Sequence, residues 1–219
     1  MDNTLEKIRA VLFDLDGTIA DTLPLCIKSF KYSIQPLIGR SISEAEIIST
    51  FGVSEEGTIR ALIPDHYEKG IHDYLHYYTE FHDMCPAPFE GIIGLLDKLV
   101  DQNIRIGMVT GKGKYSTEIS LKKFGLNNYF ELIETGIETG PIKPEGMKRI
   151  INEFQGIPKT EMIYVGDSPS DIDSSRQVGL PVIAAAWAKT ADSQSLIDKR
   201  PDKIFYTINE FSNWLLKKC

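Results

Sequence analysis

Two carboxylates stand two residues apart in Phe13-Asp14-Leu15-Asp16-Gly17-Thr18, directly after an apolar run. Further along come Thr110-Gly111-Lys112, Lys143-Pro144 and Gly166-Asp167-Ser168, with Asp171 four residues beyond Asp167. Brought together, these groups supply a nucleophile candidate, a second carboxylate for proton transfer, a hydroxyl, a lysine and an acidic pair suited to a hard divalent cation. Each is weak alone. A DxD at a strand end is often a solvated loop, a lone lysine ordinarily stays on the surface, and Asp171 fits equally well as a first-turn helix acid favoured by the macrodipole. It is their occurrence as an ordered series that points to one site.

The elements between them have the rhythm needed to assemble such a site. Short β-rich apolar runs at 10–15, 104–110, 163–165 and 182–185 predict strands. Helical patterns fill the intervals at 90–101, 115–124, 144–154 and 169–178, and 207–218 predicts a closing helix with Phe211, Trp214 and Leu215 on one face. Alternation of this kind means βαβ units and a parallel sheet covered on both faces, an α/β core. Each motif then falls at a strand's C-terminal end or a helix start, where open α/β sheets place their ligand sites. The interval 23–87 breaks the rhythm: it has helical periodicity (Leu25, Ile27, Phe30, Ile34; Ile47, Ile48; Ile59, Leu62) and no convincing strand, so it predicts a helical insert. Pro24 on one side, and Pro86 and Pro88 on the other, suggest hinges.

With DLDGT, the run ending in Thr110, Lys143 and GDSPSD in this order, the chain resembles the haloacid dehalogenase superfamily over essentially its whole length. The resemblance implies a Rossmann-like core (1–22 and 88–219), a mobile helical cap (23–87) and phosphoryl transfer through an aspartyl-phosphate. It implies Asp14 as nucleophile and Asp16 as the acid that protonates the departing oxygen. Mg2+ would be held by Asp14, the backbone carbonyl of Asp16 and Asp167, with Asp171 supporting that shell. Thr110, Gly111 and Lys143 would hold the transferring phosphoryl group. Chemistry agrees with these roles, because a carboxylate approaching phosphorus among anionic oxygens needs a cation and positive donors to neutralise the repulsion.

Single positions narrow the branch. Asp16 is the acid that an oxygen leaving group requires and that dehalogenating and phosphonate-cleaving relatives lack. Thr18 and Cys26 stand where similar sugar-phosphate mutases have Val and His. The segment 51–58 resembles the family's substrate-specificity segment, yet it carries Glu55 where those mutases have a basic residue. Arg60 and Lys112 are candidate cationic contacts, though as isolated surface charges they read as solvated. The resemblance therefore points to a phosphoglycolate phosphatase-like enzyme acting on a small phosphomonoester. A pyrophosphatase or phosphomutase of the same fold stands as the alternative, and a phosphorelay receiver as a more distant one.

Composition bounds the partners. A net charge of -7 argues against a broad nucleic-acid or anionic-lipid surface. No run approaches the ~18 apolar residues of a membrane span, and the charged segment 1–9 lacks the apolar stretch of a secretory leader. Cys26, Cys85 and Cys219 form no CxxC pair, which fits a reducing, cytoplasmic setting. His72 and His76 have the spacing of a zinc pair, but no Glu follows His72 to complete HExxH. With His66 and His82 they read as polar residues beside the apolar stripe of a Tyr-rich helix (Tyr67, Tyr74, Tyr77, Tyr78, Phe81).

Overall fold

The apolar runs become the strands β1 (Ala10–Phe13), β2 (Arg105–Val109), β4 (Met162–Gly166) and β5 (Val182–Ala185), joined by two that the runs did not reveal, β3 (Leu132–Glu134) and β6 (Lys203–Phe205). They are seen in a computed structural model describing residue 5 and residues 7–140 and 143–219; the remainder of segment 1–9 lies outside the described residues. All pairings are parallel, in the order β3-β2-β1-β4-β5-β6. The two-residue strand period splits each central strand between two cores. Ala10 and Leu12 of β1, with Met162 and Tyr164 of β4, face one core, whereas Val11, Phe13, Ile163 and Val165 face the other. Helices cover both faces, as a buried parallel sheet requires.

Several boundaries differ from the predicted ones for identifiable reasons. β1 stops at Phe13 because the Leu15 carbonyl already accepts from the N–H groups of Thr18, Ile19 and Ala20, which turns the chain out of the sheet. α5 (Ile92–Asp101) begins two residues after the predicted start, since Gly91 sits in the left-handed region at φ 93 and serves as its N-cap. The closing helix is α10 (Ile208–Leu215), capped by the Thr207 hydroxyl. α9 (Ser193–Asp198) is an addition: its periodicity is too short to read, although Asp192 caps it.

Residues 23–87 hold α1 (Leu23–Ile38), α2 (Glu44–Ile48), α3 (Glu55–Leu62) and α4 (Tyr67–Glu80), together with short 3-10 turns. Pro24 lies inside an element rather than in a connection. It lies in the first turn of α1, where its missing N–H costs no helical bond. α4 turns Gly70, Tyr74 and Tyr78 inward at four-residue spacing, and Tyr74 packs on Phe30 of α1 with ring centroids 4.3 Å apart. The core side adds α6 (Lys114–Phe124), α7 (Lys143–Glu153) and α8 (Pro169–Val178).

Phe211 is fully buried and meets Phe13 of the central strand edge-on at 6.4 Å, with Trp187, Phe205 and Trp214 around it. Phe211→Ala is expected to cost about 3–5 kcal/mol, measured as a lower urea midpoint. A change within ~0.5 kcal/mol, typical of a surface substitution, would show that α10 does not anchor the sheet.

Candidate active site

Asp14 follows the last residue of β1, and its backbone N–H donates to the Val165 carbonyl, so strand pairing fixes its position. One carboxylate oxygen accepts from the Leu15 N–H at 2.7 Å, and the other accepts from Lys143 Nζ at 2.6 Å. Lys143 opens α7 and reaches back across the sheet edge to a second carboxylate, Asp171, at 2.5 Å. Asp171 is wholly buried in the first turn of α8, where it closes a capping box with Ser168 and also accepts from the Tyr164 hydroxyl at 2.9 Å. It is therefore both a helix-capping acid and the group that aims Lys143. Gly17 explains the glycine of DLDGT: its φ is 72, and a Cβ there would overlap the Asp167 carboxylate.

Carboxylate oxygens of Asp14, Asp167 and Asp171 lie within 4.8 Å of one another. Burial pushes the Asp14 carboxyl up to about 6, with Lys143 opposing the rise. Burial and the neighbouring Asp171 and Asp14 also hold the Asp167 carboxyl well above the usual range. Lys143 is raised despite burial, because Asp14 and Asp171 outweigh it. Asp171 is lowered: Lys143 and its hydrogen-bond donors overcome burial. Three crowded carboxylates facing one ammonium leave excess negative charge, and an all-oxygen donor set with such a charge fits a hard divalent cation.

Asp16 points elsewhere. Its side chain accepts from the Thr22 hydroxyl and lies 3.4 Å from Lys112 Nζ. Lys112 corrects the expectation of a solvated charge: it is 4% exposed and lies 3.4 Å from Glu55 as well, with its ammonium 4.4 Å from the Tyr78 ring centroid. Its ammonium is held raised against the cost of burial by Asp16 above all. Cys26 Sγ lies 3.1 Å from the same ammonium, but burial pushes its thiol up to about 12, so it remains neutral. Arg60 is also engaged, bound to Glu138 and stacked over Tyr67.

Thr110, Gly111 and Lys112 line one cavity of about 380 Å³ together with Asp14, Asp16, Lys143 and Asp167. The helical segment supplies the opposite wall with Leu23, Cys26, Phe30, Phe51, Val53, Glu55 and Tyr74. A loop at 135–140 joins the two sides. Its Ile137 carbonyl accepts from Ser54 N–H, Glu138 holds Arg60, and Gly136 N–H donates to the Lys112 carbonyl. Sequence reasoning missed this loop and the burial of Lys112, since neither carries a periodic or motif signal. The histidines divide: His72 and His76 are exposed beside Asp73 and Glu80, whereas His82 is buried against Ser120.

A family model described as haloacid dehalogenase-like hydrolase matches residues 11–185, so the chain belongs to the haloacid dehalogenase-like hydrolases and is an enzyme. A PpaX protein of Caldanaerobacter subterraneus subsp. tengcongensis is 36% identical over 185 residues, covering 83% of each chain. Pyrophosphatase PpaX of Bacillus pumilus is 31% identical over 197 residues, covering 89% of this chain and 90% of its own. Among solved structures, a predicted phosphoglycolate phosphatase from Haemophilus somnus has a TM-score of 0.74 at 20% identity, covering 94% of this chain and 98% of that one. CbbY from Rhodobacter sphaeroides, solved with phosphate, has a TM-score of 0.75 at 17% identity, covering 93% and 96%. These two share the fold. Membership of the family sets aside the phosphorelay receiver, and among the described residues no helix is long and apolar enough to cross a membrane.

Because burial raises Asp14 above its unfolded value, its contribution to stability is present at low pH and is lost as pH rises through about 6. A cation bound to the ionised cluster offsets that loss. The increase in Tm on adding a divalent cation should therefore be small below pH about 5 and grow as pH rises past Asp14's titration. An increase of constant size across this range would place the cation elsewhere.

Proposed function

We propose that the chain is a Mg2+-dependent phosphatase that hydrolyses a small cytoplasmic phosphomonoester through an aspartyl-phosphate on Asp14. The observation that carries this is the contact of Lys143 Nζ with Asp14 at 2.6 Å on the floor of a cavity whose other wall is helical. A phosphatase reading is also what the family and the names of the relatives support. Asp14, Asp167 and the Asp16 carbonyl would hold Mg2+, with Asp171 supporting that set through Lys143 and Ser168. When bound, the ion neutralises the charge that otherwise opposes a carboxylate approaching phosphate.

In the first step an Asp14 oxygen bonds to phosphorus, the ester P–O bond breaks, and Asp16 gives its proton to the departing alkoxide. In the second, Asp16 takes a proton from water, which attacks the phosphorus and restores Asp14. Lys143 supplies positive charge beside the phosphoryl group throughout, and Thr110 with the Gly111 N–H would hold its oxygens. Residues 23–87 act as a cap that excludes water during transfer.

Inorganic pyrophosphate is a second reading, favoured by the name of the Bacillus pumilus relative. The cavity supports it less well. Its far wall is largely apolar, and Lys112 is already faced by Asp16 and Glu55. Phosphate release from a panel of phosphomonoesters and pyrophosphate separates the two: turnover of pyrophosphate above every monoester would replace the first reading by the second.

Asp14→Asn should fold normally and lose turnover by several orders of magnitude; wild-type release of phosphate would remove it as nucleophile. Asp16→Asn should lose about 10²–10⁴-fold on alkyl phosphates, whose leaving group needs a proton, and much less on a nitrophenyl phosphate. Since this variant also slows hydrolysis of the intermediate, the comparison is made on the pre-steady-state burst. Equal losses of burst rate on both substrates would show that Asp16 acts by holding structure instead.

A further inference from the structure

Glu55 carries a buried charge that the proposed mechanism does not use. It is the first residue of α3, lies in the segment facing the active site and is 6% exposed. Its carboxylate crosses to the core. One oxygen accepts from the Gly113 N–H at 2.5 Å; the other accepts from the Ser116 hydroxyl at 2.5 Å and lies 3.4 Å from Lys112 Nζ. Tyr74 donates to it from the helical side at 3.4 Å. Gly113 is the N-cap of α6 and caps nothing with a side chain of its own, so Glu55 supplies the anion at that helix start. A Cβ on Gly113 would collide with the Glu55 carboxylate, so the backbone is shaped to admit it.

This arrangement has a consequence for the leaving group. On the proposed mechanism Asp14, Lys143 and Thr110 mark the phosphoryl end, and Glu55 and Cys26 line the same cavity grouped around the Lys112 ammonium beside Asp16. The Lys112 ammonium in this group faces two carboxyl groups, Asp16 and Glu55, each at 3.4 Å, and the Cys26 thiol is uncharged. That ammonium is already balanced by Glu55, with Asp16 beside it, and the Gly113 N–H and Ser116 hydroxyl are taken by the Glu55 carboxylate. A second anionic group on the substrate would meet the Glu55 carboxylate and find Lys112, Gly113 and Ser116 already committed to it, which is unfavourable.

We infer that Glu55 is a specificity-determining residue that restricts this enzyme to phosphomonoesters of uncharged alcohols, by occupying the Lys112, Gly113 and Ser116 donors that an anionic leaving group would otherwise use. The inference rests on the phosphatase reading and narrows its substrate class. It excludes pyrophosphate and carboxylate-bearing phosphoesters as preferred substrates.

The test is the kcat/KM ratio for hydroxyethyl phosphate over phosphoglycolate, two esters of one two-carbon skeleton that differ in a terminal hydroxymethyl or carboxylate. It is measured on the full chain with Mg2+, alongside pyrophosphate. Wild type should favour hydroxyethyl phosphate. Glu55→Gln should lower the ratio at least about tenfold, as removal of one like charge implies. Lys112→Gln should move it the opposite way, and the double variant should return it toward wild type. Ser116→Ala, which removes one donor from Glu55 without altering any charge, should give a milder version of the Lys112→Gln shift. Opposite signs are what a loss of packing cannot produce. A wild-type preference for phosphoglycolate or pyrophosphate, or a shift of the same sign in both single variants, would overturn the role of Glu55 while leaving the phosphatase intact. Absence of phosphate release from every ester and from pyrophosphate would overturn the phosphatase reading, and this inference with it.

Discussion

The structure depends on the crowding of Asp14, Asp167 and Asp171 at one buried edge of the sheet, where Lys143 is the ammonium that faces them. Removing Lys143 from this buried set would leave its carboxylates uncompensated, a loss of roughly 3–5 kcal/mol in typical cases. The surrounding elements hold this arrangement from several directions. Strand pairing fixes Asp14, the start of α7 presents Lys143, and the capping box of α8 holds Asp171. The Tyr164 hydroxyl lies 2.9 Å from Asp171 and 3.0 Å from the Val109 carbonyl and shares its one proton between them, so the end of β2 is tied to the acid that aims the lysine. A site held this tightly keeps its geometry at little entropic cost during reaction.

A second electrostatic centre stands beside the first, with Asp16 turned toward it rather than toward the acidic cluster. Lys143 faces Asp14 and Asp171, and Lys112 faces Asp16 and Glu55. On the proposed mechanism this separation divides the labour within DLDGT, Asp14 serving the phosphoryl group and Asp16 the oxygen that leaves. Glu55 and Arg60 both come from α3: Glu55 reaches Gly113, beside the Thr110-Gly111-Lys112 motif, and Arg60 pairs with Glu138 in the loop that precedes Lys143. The helical segment thus lines the cavity and is tied to the core loops around it.

The sequence made the centre of this fold more legible than its margins. β1, β4 and β5 are continuous apolar runs because both of their faces are buried, and period and composition then agree. β3 and β6 are three residues long and only partly buried, too short for either signal. The motif residues could be placed because each stands at the end of a strand or the start of a helix that periodicity reveals. Lys112 could not, since a lysine is ordinarily solvated, and its burial depends on Asp16, Glu55 and the Tyr78 ring, which are distant in sequence. Glu55 was noticed for the charge it carries, but its reach to the start of α6 is a tertiary fact with no local trace. Pro24 misled for a related reason: a proline that could interrupt a connection can equally open a helix.

The same short outer strands that escaped detection shape how the molecule behaves in company. A parallel sheet ends in two rows of unpaired peptide groups, and long exposed rows of this kind recruit other chains into shared sheets. Here β3 and β6 each offer a row only three residues long, and β6 begins with the exposed Lys203. The long, apolar strands that would be the most adhesive are kept inside, between these brief borders. Colloidal solubility is thereby built into the strand order itself, independently of the net charge on the surface.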